Sequence, residues 1–392
     1  MSDPIVVTGF GMVTPLGADS DITWKSLMAG ETANRPLKGV EWSDFKFPMA
    51  AQALEAWIPK KLLKRDRSLQ LAVLAAEEAW KKSNLSKVPP ERIGTTFSSS
   101  KGGVLSLLDT KLDPFVKWDF LTDYFPSTGG RLLAERLGFS GPAISFSSAC
   151  STGIGSIAGG ARLLEDGECD AVLTGSTESS IHPLIYAAFR NMGILSEKAG
   201  GPAPFDVQRD GFLMGEGSAI LILEKESSAK ARRAPLSARL SGWALGGDAY
   251  EALDMEPNGK TIVPVIQRAL KMAGLKPEDI GYINAHGTGT KHNDLVESRA
   301  LFELFGEKRT WVSSTKGSTG HLLGAAGSVE AVLAVLALNQ GELPDTRNLE
   351  NPDPQCRIMH VEKGGMKKKV DHVLSLSYGF GGQLGAVIFS KI

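Results

Sequence analysis

Ala143-Ile144-Ser145-Phe146-Ser147-Ser148-Ala149-Cys150-Ser151-Thr152-Gly153 runs from a β-like stretch, through a turn of small residues, into a small-residue helix spanning Gly155 to Glu165. A second such helix, Ser328 to Leu338, also follows a Gly/Ser-rich turn and ends near a Gly-Glu pair, which hints at an internal duplication. Working outward, short apolar runs bounded by glycine recur at Ile5-Val6-Val7, Ala171-Val172-Leu173, Ala219 to Leu223 and Ala386 to Phe389, and they read as buried strands. Helix-length stretches lie between them, among them Leu69 to Lys82 and Thr261 to Ala273. Strands alternating with helices predict a layered α/β fold. The polar stretch Lys225 to Leu236 is the candidate junction, dividing an N-terminal half, 1–235, from a C-terminal half, 236–392.

The chain has 392 residues, long enough for two core-forming units. Its 42% hydrophobic and 22% charged residues exclude a disordered chain, a collagen and a coiled coil. Lysine and arginine number 43 against 44 acidic residues, a net charge of −1, so no global basic field serves nucleic acid or an anionic membrane. The three cysteines, Cys150, Cys169 and Cys356, show no CxxC spacing, which argues for free thiols rather than disulfides or a zinc site. The longest apolar stretch, Ala331 to Leu338, falls short of the ~20 residues of a membrane span. The N-terminus lacks the long apolar run of a signal peptide, and the expectation is a cytoplasmic protein.

Cys150 falls at a helix N-terminus, where unpaired N–H groups and the helix dipole favour thiolate. From these residues alone it is either a nucleophile or a buried structural cysteine. Two of the six histidines lie in glycine/threonine-rich turns after strand-like runs, in Asn284-Ala285-His286-Gly287-Thr288-Gly289-Thr290 and Lys316-Gly317-Ser318-Thr319-Gly320-His321. Small neighbours let a substrate approach an imidazole, so the cysteine and the two histidines form a possible nucleophile-and-base set. Gly9-Phe10-Gly11-Met12-Val13-Thr14 follows a strand but ends in threonine where a dinucleotide fingerprint wants glycine, and no GxxxxGK[ST] loop occurs, so a nucleotide site is rejected. Tyr378-Gly379-Phe380-Gly381-Gly382-Gln383 suits a backbone N–H facing a ligand.

Cys150 in SSACSTG, His286 in NAHGTGT, Lys316 and His321 in STKGSTGHLLGAAG, and Phe380 in YGFGG resemble the signatures of the β-ketoacyl-acyl-carrier-protein synthases of the elongating type, and the match runs nearly end to end. The resemblance implies a thiolase-like α/β fold of two similar halves in five layers, working as a homodimer with an acyl carrier protein. It implies that Cys150 holds an acyl group as a thioester. His286 and His321 would donate hydrogen bonds to a malonyl thioester carbonyl as carbon dioxide leaves. The backbone N–H groups of Cys150 and Phe380 would form an oxyanion hole, Phe380 would also gate, Lys316 would pair with Glu330, and Thr288 and Thr290 would hold the pantetheine arm. No metal or bound cofactor is implied, phosphopantetheine being supplied by the carrier. The basic cluster Lys60, Lys61, Lys64 and Arg65 matches the place where relatives dock the acidic carrier.

The chain departs from the family at Gln383-Leu384, where threonine and asparagine are usual, and at Lys101, where an apolar residue is common in a loop lining the acyl pocket. A lysine there would disfavour long saturated chains, unless it pairs with an acid such as Asp109 or Asp113. The reading is a chain-elongating synthase of fatty acid biosynthesis. The alternatives are the same condensation in a polyketide or aryl-polyene pathway, or a non-catalytic chain-length partner, against which the cysteine and both histidines speak.

Overall fold

The computed structural model describes residues 3–45, 48–108, 119–307 and 309–392. In the N-terminal half, strands β1 (Ile5–Val13), β2 (Ile93–Thr95), β3 (Ala171–Glu178) and β4 (Gly217–Lys225) lie in the order β2-β3-β4-β1. The β2/β3 pair is parallel and the other two pairs are antiparallel. The C-terminal half repeats this arrangement with β5 (Ala238–Gly247), β6 (Tyr282–Asn284), β8 (His372–Gly379) and β9 (Gln383–Ser390), in the order β6-β8-β9-β5 and with the same parallel-antiparallel-antiparallel sequence of pairings. Strand β7 (Trp311–Ser313) extends it beyond β6. Among the described residues the half-sheets pair where Ile5, Val6 and Val7 meet Leu240, Arg239 and Ala238.

Helix α1 (Arg67–Ser83) covers β1 and β4 on one outer face, and α3 (Ile262–Ala273) covers β5 and β9 on the other. The duplicated helices, α2 (Thr152–Glu165) and α5 (Ala326–Gln340), lie between the half-sheets, touch both, and pack on each other. Helix, sheet, helix pair, sheet and helix make the five layers. Every residue of α5 from Ala326 to Leu338 is buried, as expected of a helix apolar on all sides. The stretch Leu323–Gln340 is long and apolar enough to cross a membrane, but 89% of it lies buried inside the protein. The Gly9-Phe10-Gly11 segment has a packing role: a Cβ at Gly9 would sit 2.6 Å from the Ala79 carbonyl and one at Gly11 2.2 Å from that of Ala75, so glycine lets α1 lie directly on β1. The 225–236 stretch is folded rather than slack, with a short helix, Glu226–Ala231, and Arg232 in a buried ion pair with Glu224.

The two central helices touch without side chains between them. A Cβ on Gly153 of α2 would fall 2.2 Å from the backbone nitrogen of Ser328 in α5, whereas one on Gly155 would meet nothing closer than Ser148 Oγ at 3.6 Å. Gly153→Ala is therefore expected to destabilise the protein by about 3 kcal/mol through overpacking. Gly155→Ala, two residues further along the helix and on another face, should be neutral or stabilising by up to about 1 kcal/mol through helix propensity. Urea unfolding of the two variants checks the contrast, and equal effects would refute it.

Candidate active site

Cys150 sits in a tight turn, Ala149–Ser151, that opens directly into α2. Ala149 takes a left-handed φ of 45°, and the turn is closed by Ser148 N–H donating to Thr152 Oγ1 (2.9 Å) and Thr152 Oγ1 donating to the Ala149 carbonyl (2.7 Å). The end of β8 clamps it from the C-terminal half: Ser377 Oγ donates to the Cys150 carbonyl (2.8 Å), and a Cβ on Gly379 would lie 2.9 Å from the Cys150 nitrogen. Glycine at 379 thus lets the end of β8 lie directly against the Cys150 nitrogen.

The two histidines arrive from separate loops. His321 is pinned by its N–H donating to the Leu213 carbonyl (2.7 Å) and its carbonyl accepting from Gly215 N–H (2.9 Å), and its Nε2 stands 3.2 Å from Cys150 Sγ. His286 follows β6, and its turn is held by Glu297 of α4 (Lys291–Phe305), whose two carboxylate oxygens accept from the His286 and Gly287 N–H groups at 2.7 and 2.8 Å. The imidazoles meet edge to face with centroids 5.4 Å apart. Lys316 is 1% exposed and donates to the His286 carbonyl and to Glu330, with its Nζ also 3.4 Å from His286 Nδ1. An ammonium has only protons to offer, so Nδ1 of His286 accepts and its Nε2 carries the hydrogen. Lys316 therefore acts on His286, the histidine 30 residues away in sequence, more directly than on its neighbour His321.

Burial sets the charge states. Both imidazoles are held well below the usual histidine range, first by burial and then by the nearby Lys316 ammonium, so both are neutral at pH 7. Burial pushes Glu330 and Glu297 up to about 7, against the pull of Lys316 on the former and of two backbone N–H groups on the latter. The expectation of a resting thiolate at Cys150 is corrected: burial pushes the thiol up to about 11, and the Lys101 and Lys316 charges offset only part of this. The helix N-terminus gains its effect once the sulfur becomes charged or the thioester oxygen does.

Cys150, His286 and His321 line one cavity of about 210 Å³ that opens to solvent, together with Thr288, Thr290 and Phe380. Thr288 Oγ1 and Thr290 Oγ1 lie 2.9 Å apart along its wall. Leu384, one of the two departing residues, also lines it, while Gln383 is exposed. Lys101 stands apart from this cavity. Its Nζ lies 3.5 Å from Glu178 Oε1 and 3.1 Å from Ser100 Oγ, so its acid is Glu178; Asp109 and Asp113 lie outside the described residues. Lys60, Lys61 and Lys64 are exposed in and after a turn, Lys60–Leu62, whereas Arg65 is engaged by Asp123 at 2.8 Å. Glu178 and Glu297 escaped the sequence reading. Glu297 had a faint signal, a second acid three residues after Asp294 on the helix that follows the HGTGT turn, and Glu178 had none.

The chain matches the family model for the beta-ketoacyl synthase N-terminal domain over residues 2–229 and that for the C-terminal domain over residues 237–350. It is 37% identical to a 3-oxoacyl-[acyl-carrier-protein] synthase 2 of Synechocystis sp., over 99% of this chain and 98% of that one. It is 35% identical to the tetracenomycin polyketide synthase ketoacyl synthase alpha subunit of Streptomyces glaucescens, over 99% and 97%. A solved type II polyketide ketosynthase, in complex with its acyl-carrier protein and bound to a hexaketide, superposes with a TM-score of 0.91 at 27% identity over the whole of both chains. The chain belongs to the β-ketoacyl synthase family, and its fold is thiolase-like.

Because the resting pair is a neutral thiol beside a neutral imidazole, alkylation of Cys150 by iodoacetamide should keep rising about tenfold per pH unit through neutrality and level off only near pH 11, well above the plateau of an ordinary thiol of pKa about 8.5. Peptide mapping by mass spectrometry follows that cysteine alone. A plateau already reached below pH 7 would mean a preformed thiolate–imidazolium pair.

Proposed function

We propose that the protein joins an acyl group, held as a thioester on Cys150, to malonyl-acyl carrier protein by decarboxylating Claisen condensation, giving a 3-oxoacyl carrier protein in fatty acid elongation. The observation that carries this reading is the 3.2 Å approach of His321 Nε2 to Cys150 Sγ, with His286 beside it, at one cavity. In the first half-reaction the Cys150 thiol loses its proton as the sulfur attacks the carrier's thioester, and the pantetheine thiolate that leaves takes up a proton in its place. In the second, malonyl carrier occupies the same cavity. Loss of carbon dioxide leaves an enolate whose oxygen accepts hydrogen bonds from neutral His286 and His321, and the carbanion attacks the Cys150 thioester. The tetrahedral oxyanion faces the Cys150 and Phe380 N–H groups, and its collapse expels Cys150 as a thiolate, which takes a proton from solvent to return to the resting thiol.

Lys316 and Glu330 are positioning residues in this scheme, fixing the His286 tautomer. Thr288 and Thr290 would line the pantetheine path, and the carrier's phosphopantetheine is the only cofactor required. Lys60, Lys61 and Lys64 are the exposed cations offered to an acidic carrier, and Arg65, tied to Asp123, contributes less. A homodimer in the cytoplasm, with the halves divided at residues 235 and 236, completes the reading. The polyketide relatives support the same chemistry in a second pathway.

Cys150→Ala should abolish acyl uptake, read by intact mass, with the fold kept. His286→Ala should still take an acyl group but lose condensation by about 10²-fold or more. If the Cys150→Ala protein still gains the acyl mass, the nucleophile lies elsewhere.

A further inference from the structure

A second cleft, of about 590 Å³ against about 210 Å³ for the catalytic cavity, opens on the N-terminal half and shares no lining residue with that cavity. Three separate pieces of chain build it: a two-stranded ribbon, Asn34–Pro36 against Met49–Ala51, with the residues that follow it; the first turn of α1; and the short helix Val104–Leu108. Its size is that of a small-molecule site, roughly 300–1,000 Å³. The apolar lining comes from Leu54, Leu63, Leu105 and Ile181. Leu54 and Leu63 stand 41% and 44% exposed, so apolar surface is left here for a ligand to cover.

Two guanidinium groups line the same cleft, and the fold uses them differently. Arg67 is committed: its Nε and Nη2 donate to Glu216 Oε1 at 3.2 and 2.9 Å, and its Nη2 also donates to the Ala53 carbonyl at 2.7 Å. Its Nη1 meets only Gln70 Oε1, at 3.5 Å. Glu216 is buried and fully engaged, accepting in addition from Ala53 N–H at 3.1 Å and Ser179 Oγ at 2.6 Å, so this pair is neutral and leaves one N–H edge spare. Arg35 has no ion-pair partner among the described residues, and its Nη1 donates to the Gln52 carbonyl at 3.3 Å. The other acid on the cleft, Glu55, is exposed. A planar fork of uncommitted donors facing the same space as a leucine wall fits a ligand that is anionic at one end and aliphatic at the other.

We infer that this cleft is a binding site for an aliphatic carboxylate, a free medium-chain fatty acid, with its carboxylate on Arg35 and its chain against Leu54, Leu63, Leu105 and Ile181. A small anion would be held only by a solvent-exposed ion pair, which is weak. An uncharged lipid would cover the leucines but strip water from Arg35 and return no hydrogen bond. The amphiphile meets both demands, and the spare Nη1 of Arg67 is a second donor for its head. Glu55 opposes the ligand's charge and keeps the affinity moderate. The site does not depend on the condensation reading, since no residue of the catalytic cavity takes part in it.

The test is isothermal titration calorimetry with dodecanoate below its micelle concentration, where the protein should bind one equivalent per chain. Arg35→Gln should weaken that binding by about tenfold or more, the loss expected for a hydrogen bond to a charged group. Leu54→Asp, an exposed position of its own, should weaken it by about as much. Glu55→Gln removes a like charge and should tighten it by about twofold. Acetate, which lacks the tail, and dodecyltrimethylammonium, which has the tail but the opposite charge, should each bind at least about tenfold more weakly than dodecanoate. The absence of saturable binding overturns the site. So does binding that Arg35→Gln leaves unchanged, as it would be for a ligand in the catalytic cavity, or that Glu55→Gln weakens.

Discussion

The contact of α2 with α5 through bare backbone is the constraint on which the site depends. Gly153 lets Ser328 approach to a distance no Cβ would permit, and Gly327 eases the return contact, where a Cβ would sit a tight 3.1 Å from the Ile154 nitrogen. Each helix begins beside a catalytic candidate: Cys150 lies just before α2, and His321 lies a few residues before α5, with the Leu323–Ala325 turn between. Drawing the two helix N-termini together therefore draws the sulfur and the imidazole together. A buried hydrogen bond from Ser176 Oγ on β3 to Ser328 Oγ on α5, 2.7 Å apart, reinforces the register from the sheet side, either oxygen being able to donate.

What results is a buried pair of imidazoles kept neutral where they would donate. Two imidazoles without charge, one fixed as its Nε2–H tautomer by an ammonium, suit an enolate better than imidazolium would, because they stabilise charge as it develops without holding the malonyl carboxylate in place. The ionic groups are set one shell behind, as Lys316 with Glu330 under His286 and Lys101 with Glu178 beside Cys150. Both lysines act on the thiol, and both of their glutamates oppose them. Burial therefore keeps the sulfur a thiol, and the two lysine charges, each opposed by its glutamate, offset only part of it.

Much of this was legible in the sequence because it was local. The strand-turn-helix around Cys150, the small-residue helices, the histidine turns and the duplication all show in runs of a dozen residues or fewer. What the sequence could not convey was anything set by burial across the halves. The thiol's upward shift comes from desolvation, which no helix-terminus rule registers. Glu178 lies 77 residues from Lys101, and Glu297, though only 11 residues from His286, reaches back to the turn from a helix whose orientation the sequence does not show. Gly9 and Gly11 resembled a ligand loop because close approach of a helix and close approach of a phosphate ask the same thing of a backbone.

The central claim, a pair of buried neutral imidazoles as hydrogen-bond donors, is tested most directly by nitrogen-15 NMR of histidine-labelled protein between pH 8 and pH 5.5. His286 and His321, assigned by their single substitutions to asparagine, should stay neutral across the range, with His286 as the Nε2–H tautomer. An imidazolium signal from either ring at pH 7 would contradict the account.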